Sequence, residues 1–167
     1  FLMSELKSKI TKIIQKYVQQ YQQKANITSQ WSEPLVGFAD ANHPDIFKLK
    51  ELISVKHVMP QEVIENPTVV IAYFVPFTKE LADTNKELND VSSPEWARTY
   101  EETNAMLGDL NQHLIDELKK MGYDAGVSKE ATTFDKEKLI SHWSQRHFAR
   151  LAGLGTFGLN NMLIGKK

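Results

Sequence analysis

A chain of 167 residues with 41% hydrophobic and 25% charged side chains has the length and composition of one globular domain, long enough to bury a core. Its formal net charge of −1 gives no global field toward nucleic acid or an anionic membrane, and no apolar run nears the ~18 residues of a membrane span. The lack of cysteine excludes disulfides, thiolate zinc sites, cysteine nucleophiles and cysteine-ligated iron–sulfur clusters within these residues. No secretory apolar segment follows the start, so a cytoplasmic protein is expected.

Along the chain, Leu6, Ile10, Ile13, Ile14, Tyr17, Val18 and Tyr21 recur at helical spacing, which predicts an amphipathic helix from Ser4 to about Gln23 with Ser4 as its cap. Leu35–Ala39 is a short strand, launched by Pro34 and closed by the turn residues Asp40 to Pro44. Asp45–Val55 predicts a short helix with Ile46, Leu49, Leu52 and Ile53 inward. Thr68–Phe77 is continuously apolar and rich in β-branched and aromatic residues, the pattern of a central strand buried on both faces. Thr78–Thr99 is polar and predicts a long loop.

A second long helix spans Glu101–Met121, with Leu107, Leu110, Leu114, Leu118 and Met121 as its stripe and Gly122 just past its end. Tyr123–Ala131 is a short strand or an extended link. Asp135 is placed to cap a third helix running to about Ala152, closed by Gly153 or Gly155, and Asn160–Ile164 begins another strand. These elements predict an α/β (α+β) domain over residues 1–167, with a central mixed sheet flanked by helices.

The densest chemistry lies in Ser141–Ile164. On the expected helix, His142, Arg146 and Arg150 fall at i, i+4 and i+8 and share one face. Such a stripe by itself is first a solvated cationic edge near a helix C-terminus, and it would also suit a carboxylate, a phosphate or an amide-bearing arm. Gly153-Leu154-Gly155-Thr156-Phe157-Gly158 matches G-x-G-x-x-G, but a helix precedes it and a strand follows, the reverse of a dinucleotide-binding turn. Two readings of the glycines remain: a helix cap with a tight turn, or the same turn held against a flat ligand where a Cβ would collide. His142 and His147 are five apart, which is not a chelating spacing, and His43, His57 and His113 are scattered. Trp143 falls in register with Leu139, His147 and Leu151 and is expected in the core. Asp135 serves either as a turn or cap residue or as a general acid.

Met59-Pro60-Gln61-Glu62-Val63-Ile64, the strand Val69–Phe77, a segment led by Tyr100, the helix Leu107–Met121, the run Trp143-Ser144-Gln145-Arg146-His147, then Ala152–Asn160 and Met162-Leu163-Ile164 appear in an order that resembles the N-terminal domain of the epoxyqueuosine reductase family, chiefly its less characterised iron–sulfur relatives. The resemblance spans roughly residues 55–164. It implies a fold akin to reductive dehalogenases and flavin nitroreductases, cradling a base-off cobalamin, with a following ferredoxin-like domain carrying two [4Fe–4S] clusters. Characterised members reduce an epoxide on a queuosine-precursor base of transfer RNA. Under this resemblance Gly153, Gly155 and Gly158 admit the corrin ring, His142, Arg146 and Arg150 meet its polar arms, and Asp135 is the catalytic acid. The family's Asp-Tyr-His segment has no counterpart here, where Glu101-Glu102-Thr103-Asn104 stands, and its Val-Asp-Ser segment is replaced by Ala131–Asp135. The chain is therefore expected to be a cobalamin-binding portion, inactive without its iron–sulfur domain. The alternatives are a non-enzymatic ligand- or partner-binding domain and a flavin-binding variant.

Overall fold

The computed structural model describes residues 2–86, 88, 90–131 and 135–165. In chain order the elements are α1 (Leu2–Tyr21), β1 (Leu35–Asp40), α2 (Pro44–Phe47), α3 (Leu49–Leu52), β2 (Val69–Phe74), α4 (Lys79–Asp83), α5 (Pro94–Lys120), α6 (Gln145–Leu151), β3 (Gly155–Phe157) and β4 (Leu163–Gly165), with 3-10 turns at Pro60–Glu62 and Lys129–Ala131. The protein is thus mixed α/β. The chain divides into two compact units, one of Phe1–Leu35 with Val75–Met121 and one of Val36–Phe74 with Gly122–Lys167. Among the described residues no helix is long and apolar enough to cross a membrane.

The first unit is built on α1 and α5. Ile10, Ile14, Val18 and Tyr21 are buried on α1, and Met106, Leu110, Leu114 and Leu118 on α5, so two helical stripes close on each other. Each such aliphatic side chain stabilises by about 1.5–3 kcal/mol when fully buried. Trp31 is sealed beside them, its Nε1 donating to Thr103 Oγ1 at 2.8 Å and its backbone N to Gln22 Oε1 at 3.2 Å. Gln22, near the end of α1, is thereby a structural acceptor. Glu102 accepts the Ser29 backbone N–H at 2.9 Å.

α5 begins at Pro94, seven residues ahead of the expected start, because Ser93 Oγ accepts from Trp96 N at 3.1 Å and Pro94 occupies the first helical position. α4 takes a further part of the expected loop, capped by Thr78. Glu87 and Asn89 of that segment lie outside the described residues. At the other end Gly122, with φ +85°, follows the last turn of α5, as expected of a glycine there. α1 starts at Leu2, so Ser4 lies inside its first turn rather than ahead of it.

The second unit has a core of Ile46, Leu49, Met59 and Phe148, with Ile53, Val70, Trp143 and Leu151 packed on it. The expected helix over Asp45–Val55 is two short helices, and Leu52 is exposed at 65% rather than inward. β1 and β2 form a two-stranded sheet, and α6 packs against β2 and β3. Gly37 in β1 is close to the end of α6, where an added Cβ would meet Ala152 Cβ at 2.9 Å. β3 and β4 pair antiparallel, Gly155 with Gly165, Thr156 with Ile164 and Phe157 with Leu163.

The expected central mixed sheet is replaced, among the described residues, by these two separate pairs. The apolar run Thr68–Phe77 is not one doubly buried strand. β2 ends at Phe74, and both Val69 and Phe74 are exposed. Val75, Pro76 and Phe77 serve the first unit instead, where the Pro76 carbonyl accepts from Ser32 N, and Phe77 bridges Trp31 and meets the Trp96 ring edge-on. The run is apolar because its two halves fill two cores.

The Trp31 anchor gives a direct test. Replacing Thr103 by Val keeps the volume but leaves the buried indole N–H without an acceptor. Urea unfolding of Thr103→Val is expected to show a loss of about 1–3 kcal/mol.

Candidate functional site

The segment rich in cations and glycine forms one side of a groove on the second unit. α6 is only seven residues long, not the helix expected from Asp135 to Ala152. Backbone groups that a longer helix would use are taken by tertiary partners: the His142 carbonyl accepts from Val58 N at 2.8 Å, and Ser144 N donates to His57 Nε2 at 2.9 Å. Trp143, between them, packs on the core as expected.

This shortening separates the predicted cationic stripe. His142 lies ahead of α6, its Nδ1 buried and without a hydrogen-bond partner among the described residues. Only Arg146 and Arg150 share the helix. The exposed Arg146 guanidinium donates to the Asn161 carbonyl at 2.7 Å and ties α6 to the β3–β4 turn. Arg150 is exposed, with no hydrogen-bond partner among the described residues, and borders the groove.

The groove has a volume of about 270 Å³. Leu49, Leu52, Leu151 and Phe157 form its apolar part, and Asp45, Lys48, His147 and Arg150 its polar part. Asp45 Oδ1 and Lys48 Nζ pair at 2.7 Å. That hydrogen bond holds the Asp45 carboxyl below the usual carboxylate range and the Lys48 amine above its own. The nearby Arg150 charge adds to that lowering at Asp45, without a hydrogen bond to it among the described residues. His147 stays neutral near pH 7, because burial, and then Arg146 and Arg150, lower its pKa. Its Nδ1 lies 2.7 Å from Ser144 Oγ, and its ring tilts against Phe157 at 4.8 Å.

Asp135 stands apart from these lining residues, in a turn. Its Oδ1 accepts from Lys138 N and Glu137 N, each at 3.0 Å, and its backbone bridges Ile140. Those backbone donors hold its carboxyl below the ordinary range, so it is ionised at neutral pH and has no proton to give. Thr132, Thr133 and Phe134, which precede it, lie outside the described residues.

The three glycines of the tail motif have three different reasons. Gly153 follows the end of α6 with φ +79° and is exposed, with open space where a Cβ would be. Gly155 is buried, and an added Cβ would run into the Ile164 carbonyl and meet Leu163 Cγ at 3.1 Å. The close approach of β4, not of a ligand, therefore accounts for glycine at 155. At Gly158 a Cβ would meet the Ile164 side chain at 2.9 Å, and its backbone N–H donates to the Met162 carbonyl in the hairpin turn.

Sequence spacing did not identify Asp45, Lys48, His57 or Phe157 as groove or support residues. The i, i+3 spacing of Asp45 and Lys48 was the one local signal. Nothing in the sequence couples His57 to Ser144.

The glycine assignments separate by stability. Gly153→Ala is expected to cost about 1–2 kcal/mol for placing a Cβ at positive φ. Gly155→Val is expected to cost about 3 kcal/mol, because backbone of β4 must move. Thermal unfolding checks both, and a Gly155→Val midpoint equal to the parent would contradict the packing described. Comparison of the chain with protein-family models, with curated proteins and with solved structures finds no match.

Proposed function

We propose that this chain is the ligand-binding part of an iron–sulfur reductase of the epoxyqueuosine reductase type, and that the groove of its second unit anchors a polar arm of a corrinoid. The observation that carries this reading is Arg150, a guanidinium with no hydrogen-bond partner among the described residues, at the border of an apolar groove. An arm ending in an amide, carboxylate or phosphate would lie on Leu49, Leu52 and Phe157 and accept from Arg150.

The residues fit an arm and not the ring. A groove of about 270 Å³ is too small for a corrin, and the backbone face at Gly155 is taken by β4. When bound, a corrinoid supplies a redox-active cobalt. With no cysteine in its sequence, the chain must receive electrons from [4Fe–4S] clusters held by other residues than its own. What its own residues do is bind and orient: Arg150 binds, and His147 and Phe157 wall the groove.

A second reading, a non-enzymatic ligand-binding domain, is favoured by Asp135. A carboxylate already ionised and held by two backbone donors is a poor acid.

Incubation with hydroxocobalamin, desalting and a visible spectrum test the first reading, with flavin mononucleotide as a parallel arm. The parent is expected to retain the corrinoid, and Arg150→Ala to bind it about 1.5–3 kcal/mol more weakly, the worth of a charge-assisted hydrogen bond. A parent that retains no corrinoid removes the first reading. Retention undiminished in Arg150→Ala removes the groove from it.

A further inference from the structure

We propose that His57 is the positioning residue of this groove, an acid-labile latch whose neutral imidazole holds the start of α6 and whose protonation releases it. The part of this that concerns binding rests on the groove being the ligand site. The latch itself is read from geometry.

His57 is fully buried against one side of the Trp143–Phe148 ring pair, with centroids 6.3 and 6.1 Å away. Its Nε2 accepts the Ser144 backbone N–H at 2.9 Å. An imidazole nitrogen that accepts has a free lone pair, so the proton of the neutral ring sits on Nδ1. Ser144 immediately precedes α6, which carries His147 and Arg150 into the groove. The hydrogen bond therefore sets where that helix begins.

A second imidazole grips the same residue, since Ser144 Oγ lies 2.7 Å from His147 Nδ1. The two contacts respond differently to acid. A protonated His147 would donate to the serine hydroxyl, which accepts as readily as it donates, so that contact survives. A protonated His57 would turn a second N–H toward the Ser144 N–H, and two donors would face each other in a buried site. That contact cannot survive. Of the two, only His57 couples protonation to release.

The groups around His57 oppose an added charge. His142 and His147 face it from the segment before α6 and from α6, and Lys50 from α3, while the Glu62 carboxylate of the 3-10 turn is also near it. Burial and then these neighbours lower its pKa from the ordinary 6.5, despite a raising contribution from the Val58 backbone. The sign follows. The unfolded chain takes the proton near 6.5 and the folded chain only below that. The stability contributed by neutral His57 is thus complete above 6.5 and is lost as pH falls from there through the folded value.

The test is amide exchange at Ser144 in the isotope-labelled full chain, read as a protection factor at about pH 7.5 and about pH 5, the range where histidine titrates. The variant is His57→Gln, whose amide oxygen can accept from Ser144 without titrating, and Ile46, in the core of the same unit with its N–H bonded to the His43 carbonyl, serves as the control for unfolding of that unit. The parent is expected to lose about tenfold of its Ser144 protection in acid, the upper end of the net worth of one hydrogen bond, with Ile46 unchanged. His57→Gln is expected to keep its protection at both values. His147→Gln, with His57 intact, is expected to lose protection as the parent does, which decides the matter if His57→Gln does not fold. Protection that is equal at the two pH values in the parent overturns the latch. So does a loss that persists in His57→Gln and vanishes in His147→Gln. In parallel, hydroxocobalamin retention is expected to fall in acid for the parent and not for His57→Gln. A pH-dependent Ser144 amide with no retention at either pH leaves the latch standing and removes the corrinoid reading.

Discussion

One hydrogen bond organises the second unit: the Ser144 backbone N–H donated to the buried Nε2 of His57, between residues 87 apart in sequence. A hydrogen bond of this kind contributes only about 0.5–1.5 kcal/mol net. Its weight lies in what depends on it. It stops the helical pattern of Ser141–Leu151 from extending backward, and it works with the neighbouring Val58 N–H to the His142 carbonyl, so that residues 57–58 and 142–144 lie side by side. Trp143 then packs on the core beside Phe148. α6 starts where it does because its first turn is anchored there, and Arg150 reaches the groove border as a consequence.

The groove is asymmetric in its electrostatics. Asp45 and Lys48 neutralise each other locally. These exposed charges contribute little to stability, as surface pairs do. His147 contributes polarity without charge. Under the proposed reading such a groove would take one polar group attached to an apolar body, in a chain whose overall charge offers no long-range attraction.

The tail glycines illustrate how one motif can serve packing. At Gly153 the need is backbone conformation, at Gly155 the proximity of a strand, and at Gly158 the inside of a turn closed by Asn160 and Asn161. Arg146 then bonds the carbonyl of Asn161 and fastens the hairpin to α6. A residue pattern that suggests a ligand cradle is thus largely the device by which a short helix and a short hairpin pack in little space.

Much of the first unit was legible in the sequence. The period of Ile10, Ile14 and Val18, and that of Leu110, Leu114 and Leu118, is a local property that survives burial unchanged, so both helices and their inward faces followed from spacing alone. The start of α5 was missed, because the serine and proline that cap it at Ser93-Pro94 sit in a polar stretch that reads as loop. Gly122 and Gly153 had to follow helix ends, since few other residues accept positive φ. The division of Thr68–Phe77 between two cores was not legible, because an apolar run does not state which core it enters. Nor was the length of α6, since helix propensity over Asp135–Ala152 says nothing of a histidine 87 residues away from Ser144 that takes the backbone N–H. The groove belongs to the same class: Asp45, Lys48, His147, Arg150 and Phe157 meet only when two distant segments fold together. Local spacing determined the elements; competition for backbone hydrogen bonds in the folded unit decided where they end and which side chains share a site.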